Sequence, residues 1–328
     1  MIKRTFTEQS LNGVFFDVER VPLTYETRLH NLFNSRISIE VPNNEALINK
    51  RTGQFLSVVS KRYNVITNKD AYDLASKIVG SYFPGATLDK FKTFNVVYPS
   101  TMTTCRMDFI LPENFYNPFP TDGEDKWTPF IRISNSFNKT IRLSYEIGFC
   151  RWICLNGMIF GGNSIKLKVN HTEGNYYNAI MKQIREQSKK VQDAQTIWES
   201  LSRKLVGLRS FDVKEDDVLP LYCKAFDVSF EEERLTEKIK DNWKKRKSYL
   251  DNIRKDYFKE MGNNAYAVMN ILTDFASHNV LGIYSDGYQR KVGNWVEDFI
   301  GSIKKPGFSL DSYLAGDPRK AAELIKNF

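Results

Sequence analysis

The sequence predicts an α+β protein: an antiparallel β-meander packed on a long helix, followed by a helical C-terminal region. Three observations carry this. From Pro129 to Asn170, Ile131, Ile133, Ile141, Leu143, Tyr145, Ile147 and Phe149 alternate with Arg132, Ser134, Arg142, Ser144 and Glu146. That period of two belongs to strands with one face buried and one face wet. Beyond Asn170 the period changes. Ile180, Ile184, Gln187, Val191, Ala194, Trp198, Leu201, Leu205 and Leu208 step by four and three, the stripe of one long amphipathic helix. From there to the C-terminus, capping residues separate further helical stripes. The chain therefore divides into a sheet-rich α+β domain over 1-210, which includes the long helix, and a helical region over 211-328.

Residues 1 to 40 are mixed. Val14-Phe15-Phe16 and Arg36 to Val41 read as short strands that Pro22 and Pro42 interrupt. Ala46 to Lys50 and Phe55 to Val59 flank a turn at Arg51-Thr52-Gly53, a hairpin. Thr67 or Asn68 caps a helix with Ala71, Leu74, Ala75 and Ile78 on its apolar face, and Gly80 stops it. Strands follow at Phe94 to Tyr98 and Cys105 to Leu111, then a proline-bearing loop over 112–129. Within the meander, Asn138-Lys139 makes one turn, and Asn156-Gly157 suits a tight type I′ turn because both residues tolerate positive φ. Gly161-Gly162-Asn163-Ser164 breaks the chain before Ile165, Leu167 and Val169. In the second half, Pro220 falls in a connector. Helices are expected from about Glu231 to Met261, Ala265 to His278, around Val292 to Ile303, and Pro318 to Phe328.

The 328 residues suffice for one large or two ordinary domains, and 41% hydrophobic with 26% charged residues is ordinary for a soluble protein. No apolar run is long enough to cross a bilayer, and Met1 to Phe6 lacks the apolar stretch of a secretory signal. Cys105, Cys150, Cys154 and Cys223 form no disulfide framework, so they read as reduced and buried. The expected location is the cytoplasm of a bacterial host. Lys+Arg 47 against Asp+Glu 39 leaves +8, which permits a polyanionic partner without requiring one.

No catalytic constellation is legible. Cys150 and Cys154 lack the second Cys or His pair that a zinc site needs. His30, His171 and His278 have no nucleophile motif beside them, and Gly161-Gly162 lacks the following lysine of a phosphate loop. Glu215-Asp216-Asp217 reads as the acidic start of a short helix rather than a metal site. No cofactor and no metal is expected. Surface chemistry offers more. Arg151 falls in the apolar register with Ile147 and Phe149, so either a bulge at Gly148 re-aims it or it enters a groove beside Arg132 and Arg142, where its planar fork can hold a phosphate. The competing, favoured reading is an ion pair with Glu146 or Asp108. Lys166 and Lys168 on one strand face, with Lys182, Arg185, Lys189 and Lys190 on the next helix, can border a positive groove, and Tyr145, Trp152, Tyr176 and Tyr177 offer stacking surfaces. The bland alternative is a solvated face above core aromatics. Lys244-Lys245-Arg246-Lys247 is more simply the wet side of a helix, offset by nearby acids.

Three blocks resemble a known family. Arg51, then Phe55 to Asn68 with Tyr63 and Asn68, is similar to the opening motif of the phage/plasmid-related proteins called domain of unknown function 932. Ser134-Asn135-Ser136, then Arg151-Trp152-Ile153-Cys154-Leu155-Asn156, resembles its central motif, and Asn263 to His278, with Asn270, Thr273 and His278 at matching positions, its C-terminal helix motif. The family's loop continues from serine through a His-Asp-Gly-like turn, where this chain has Phe137-Asn138-Lys139. The resemblance spans about Ala46 to Phe299. It implies a gene carried by phages or plasmids and no settled activity. A looser likeness, of element order alone, is to Rad fifty-two-type single-strand annealing proteins.

The expected function is nucleic-acid binding, with single-stranded DNA binding or annealing in recombination or replication as the leading reading. Arg132, Arg142, Arg151, Lys166, Lys168, Lys189 and Lys190 would meet phosphates, and the expected partners include further copies of the chain. The alternative is a non-enzymatic protein-interaction factor acting on a host defence complex. A metal-dependent nuclease is the least favoured reading, since no paired carboxylates stand beside a lysine.

Overall fold

A computed structural model describes residues 3–28, 36–83, 85–113, 115–119, 125–159, 165–172, 174–188, 194–231, 235–278 and 285–328. Its first sheet joins β1 (Val18–Arg28), β2 (Arg36–Asn49) and β3 (Phe55–Ser60) as antiparallel neighbours in that order. β3 pairs only with Asn44–Ile48 of β2, whereas β1 also pairs along Arg36–Glu40, so a two-stranded ribbon extends past β3. The prolines do not end these strands. The ladder shifts register between Pro22 and Thr24, and Asn43 takes a positive φ of 62°; Pro22 is tolerated because β1 is an edge strand. Val14-Phe15-Phe16 is a turn rather than a strand, with the Val14 and Phe15 amides donating to the Leu11 carbonyl, although Val14 and Phe16 are buried as their apolarity demands. The helix α1 (Asn68–Tyr82) starts as expected. Thr67 and Asp70 form a reciprocal capping box, and the helix runs through Gly80 to Tyr82 because Ile78, Val79 and Tyr82 are buried in the core.

The second sheet is the expected meander. It comprises β4 (Lys92–Val97), β5 (Thr104–Ile110), β6 (Trp127–Ser136), β7 (Leu143–Arg151), β8 (Asn156–Met158) and β9 (Lys166–Val169), with β8 and β9 pairing opposite halves of β7. Two local expectations fail. Asn156 and Gly157 lie in β8, and the turn is made by residues 152–155 with Leu155 at φ 55°. The β6/β7 ladder runs unshifted from Trp127↔Arg151 to Ser134↔Ser144, so Gly148 makes no bulge. Gly148 serves packing instead: a Cβ there would meet the Phe130 ring at 2.5 Å.

The chain then continues as α2 (Tyr176–Ser188), α3 (Ala194–Arg209), α4 (Val218–Ala225), α5 (Glu237–Met261), α6 (Ala265–His278), α7 (Ser285–Ile303), α8 (Leu310–Leu314) and α9 (Asp317–Asn327). The stripe read as one long helix is carried by two described helices that serve different cores. Ile180 and Ile184 of α2 pack with the sheet and α1, while Trp198, Leu201, Leu205 and Leu208 of α3 join the C-terminal helices. Pro220 lies inside α4, in its first turn, where a missing N–H costs nothing. α5 begins at Glu237 rather than Glu231, since the Thr236 side chain accepts from the Ile239 amide. Residues Ala265 to Ala276 of α6 are all buried.

The largest departure is the face of the meander expected to be wet. Every residue of β6 and β7 is buried. The apolar side, with Ile131, Ile133, Leu143 and Tyr145, packs on α1, where the Tyr145 hydroxyl donates to the Ala71 carbonyl at 2.8 Å. On the polar side, Arg132 and Glu146 meet Gln289 and Arg290 of α7. The centre of the sheet, β6 and β7, is thus covered on both faces. Among the described residues no helix is long and apolar enough to cross a membrane.

Candidate functional site

The cations expected to form a phosphate groove do not form one. Arg132, 1% exposed, holds Asp108 through two bonds of 2.7 Å and donates to Gln289 Oε1 at 2.6 Å. Arg151, 2% exposed, is ion-paired as the favoured reading held, but with other carboxylates than Glu146 or Asp108: Asp125 at 2.8 Å and Glu260 of α5 at 2.9 Å. Lys166 and Arg290 share Glu146, at 2.5 and 2.6 Å. Burial disfavours the Glu146 carboxylate, yet hydrogen bonds from Arg290 and Lys166 hold it below its usual range. Phosphate cannot reach Arg132 or Arg151 without displacing these carboxylates. Arg142 and Lys168 are exposed. Lys182 lies 3.9 Å from Glu186, while Lys189 and Lys190 fall outside the described residues. The basic run on α5 is offset as expected, Lys244 by Asp241 and Lys247 by Asp251, with Arg246 over the Trp243 ring.

Beneath one end of the sheet lies a buried polar network. Asn156 donates to the Tyr257 hydroxyl at 2.9 Å and to the Asn270 carbonyl at 3.2 Å. His278 Nε2 lies 3.1 Å from both the Cys154 carbonyl and Asn156 Oδ1, so that nitrogen carries the proton. Burial, then the charge of Arg4, lowers the His278 pKa, which favours the neutral imidazole. Asp274, also buried, accepts from Tyr257 at 2.9 Å and from Tyr249, and it pairs with Arg4 at 3.2 Å. Through that pair the N-terminal segment is fastened to α6. A second knot forms farther along, where Asn135 donates to the Ile66 carbonyl and to Asn68 Oδ1, and the Tyr63 hydroxyl to the Ser136 carbonyl.

Above the first network the surface opens into a pocket of about 480 Å³ lined by Lys3, Arg4, Thr5, Phe6, Lys126, Trp152 and Ile153. The Arg4 amide donates to the Ile153 carbonyl at 3.0 Å, holding the N-terminal segment against the β7–β8 turn. Trp152 lies between Phe6 (centroids 5.8 Å apart) and Phe115 (5.3 Å), and Lys126 sits 5.7 Å from the Phe115 ring centre. Phe115 is 39% exposed. Lys126 makes no ion pair with a described carboxylate. The pocket therefore joins aromatic faces to cations that a polyanion can reach.

A family model described as Domain of unknown function (DUF932) matches residues 55–294. The chain belongs to this family. No curated protein and no solved structure matches it. The DUF932 motif residues quoted above are mostly internal fasteners. Tyr63, Asn68, Asn135 and Ser136 tie the first block to the central one, and Cys154, Asn156, Asn270 and His278 tie the central block to the last. Ser136 also closes its own turn by donating to the Ile141 carbonyl at 2.7 Å. Arg51, four residues before the matched range, is exposed, unlike these fasteners.

The sequence offers Trp152 as a stacking surface, and the structure places it at this pocket; it does not single out Lys3, Arg4, Phe6, Phe115 or Lys126, which line or flank the same place. The interleaving of Lys3, Arg4 and Phe6 is the one local signal for them. Tyr145, offered as a stacking surface with core as its alternative, is a core residue; Tyr177 is 43% exposed. All four cysteines are free and buried, and burial raises the thiol pKa of each, Cys105 and Cys223 to about 12. None is poised as a nucleophile. No group of His, Cys, Asp or Glu among the described residues could hold a metal ion.

Proposed function

We propose that this DUF932 chain binds single-stranded nucleic acid, DNA in the first instance, on the face formed by its N-terminal segment and the β7–β8 turn. The observation that carries the reading is the Phe6–Trp152–Phe115 cluster rimmed by Lys3, Arg4 and Lys126. Unpaired bases stack on aromatic faces whatever their sequence, and cations beside them take the phosphates. The excess of +8 permits such a partner. Arg4 is paired with buried Asp274, so it fixes the N-terminal segment in place, and exposed Lys126 is the cation left for the phosphates. The reading moves the interface away from the meander groove and assigns no catalytic step. A phage or plasmid setting and an annealing role belong to the same proposal; the motif resemblance and element order are their only support. The test is fluorescence anisotropy of labelled single- and double-stranded oligonucleotides over a salt series, repeated with Mg²⁺. Retention of the single strand, weakening steeply with salt, supports the reading. Indifference to both rejects it, and cleavage with Mg²⁺ replaces it with a nuclease.

The alternative is a protein-interaction factor. It draws on the β1–β2 ribbon, where Tyr25 opposite Ile39 and Thr27 opposite Ile37 share one face, with Glu26, Arg28, Arg36 and Ser38 on the other. Tyr25 is 52% and Ile39 36% exposed, an apolar face suited to protein contact.

A further inference from the structure

Resting on the nucleic-acid reading, we infer a second anchor for the same strand at the β2–β3 turn, with Arg51 as its phosphate ligand. A pocket of about 440 Å³ lies there, lined by Phe15, Phe16, Asp17, Lys50, Arg51 and Lys69. Arg51 is oriented without being neutralised. Its guanidinium donates to the Asn12 carbonyl at 2.9 Å and the Gly13 carbonyl at 3.4 Å, and neither it nor Lys50 pairs with a described carboxylate. Its remaining N–H groups are available to a phosphate.

The turn presenting Arg51 is built in advance. Buried Asn49 accepts the Arg51 amide on Oδ1 at 3.0 Å and the Gly53 amide on its carbonyl at 2.8 Å, with Gly53 at φ 71° where glycine is favoured. Lys69 is already paired with Asp73, and the capping box has closed the start of α1, so Arg51 and Lys50 carry the free positive charge, against Asp17. Aromatic rings line this pocket too, from Phe15 and Phe16. Tyr98, 45% exposed, stands beside Gly13, whose carbonyl Arg51 holds: its hydroxyl lies 3.3 Å from where a Cβ on Gly13 would sit.

The N-terminal segment connects the two places. It is held at Arg4 by Ile153, at Gln9 by Thr93 and Val96, and at Asn12 and Gly13 by Arg51. Arg4 and Asn12 are at most about 29 Å apart at ~3.6 Å per residue of fully extended chain. Lys92 lies along this path in a surface pair with Glu8 at 3.9 Å, an exposed contact that a phosphate can replace. The strand thus tracks the segment from Trp152 to Arg51.

The experiment measures binding of the full chain to oligothymidylates of about 4 and about 16 nucleotides, the range of groove-type single-strand sites. The inference expects the wild-type protein to bind the longer oligomer more tightly. It expects Arg51→Gln and, separately, Lys50→Gln to weaken only the longer one, each lowering the slope of log affinity against log salt by about one. Lys126→Glu should weaken both lengths. Unchanged binding and slope for both Arg51→Gln and Lys50→Gln, with Lys126→Glu still impaired, overturns the second anchor and leaves the first pocket standing. Absence of wild-type binding to both lengths overturns both. Thermal melts of each variant separate loss of contact from loss of fold, and exposed Lys50 keeps the test intact if Arg51→Gln is unstable.

Discussion

Arg151 in the meander and Arg51 at the β2–β3 turn both stand out in the sequence, and the fold treats them oppositely. Arg151 is 2% exposed and spends its guanidinium on Asp125 and Glu260. Arg51 is exposed and leans only on two backbone carbonyls. The difference comes from what arrives to cover them. A loop and the end of α5 bring carboxylates over Arg151, whereas the N-terminal segment brings carbonyls to Arg51. An arginine matched by buried carboxylates maintains structure; one oriented by neutral oxygens keeps its charge for a partner.

The sharpest way to break this comparison is Arg151→Ala. It leaves Asp125 and Glu260 facing each other without their cation, so denaturant unfolding should show a loss of about 3–5 kcal/mol. A normal unfolding midpoint would remove Arg151 from the structural class. Next in size, Trp152→Ala should weaken single-strand binding by about 1–3 kcal/mol, read by anisotropy, if a base stacks there. Gly148→Ala tests the packing side of the comparison. Its methyl group collides with Phe130, and a cost of about 1–3 kcal/mol is expected in thermal unfolding.

Acid gives a further separation. Burial holds His171 and His278 below the ordinary histidine pKa of 6.5. The unfolded chain therefore takes up protons that the folded chain refuses, so stability is full above about pH 6.5 and falls as the pH drops toward the folded values. Glu146, also held low, adds a loss in the same direction at more acid pH. Denaturation curves of equal stability at about pH 8 and pH 5 would contradict this. The smallest effect belongs to exposed Lys126: Lys126→Ala should alter stability by no more than ~0.5 kcal/mol while lowering the salt slope of binding by about one. A large stability loss would move Lys126 into the company of Arg151.

Much of the architecture was legible because it is local. Thr67 caps α1 as its position before an apolar stripe requires, and the alternation from Ile131 to Phe149 marks β6 and β7. Less of the site was legible. Lys126 and Trp152 are separated in sequence from Arg4 and Phe6, and tertiary contacts, Arg4 to Ile153 and Asp274 and the Trp152 amide to the Lys126 carbonyl, bring them to one pocket. Asn156-Gly157 shows the limit of a short motif. Its turn chemistry was sound, but pairing with β7 drew both residues into a strand and passed the turn to Leu155.

The sequence alone therefore determined the α+β class, the meander, most helix positions and the three motif blocks, because each depends on neighbours within a few turns or strand steps. The tertiary structure decided which polar side chains meet water. Alternation with period two records that a strand has two chemically different faces, but it cannot say what covers the polar one. Here α7 brings Gln289 to Arg132 and Arg290 to Glu146, and α5 brings Glu260 to Arg151. Those contacts turn an expected cationic groove into buried ion pairs, and they leave the exposed positive charge at Lys126 and Arg51 on the path of the N-terminal segment.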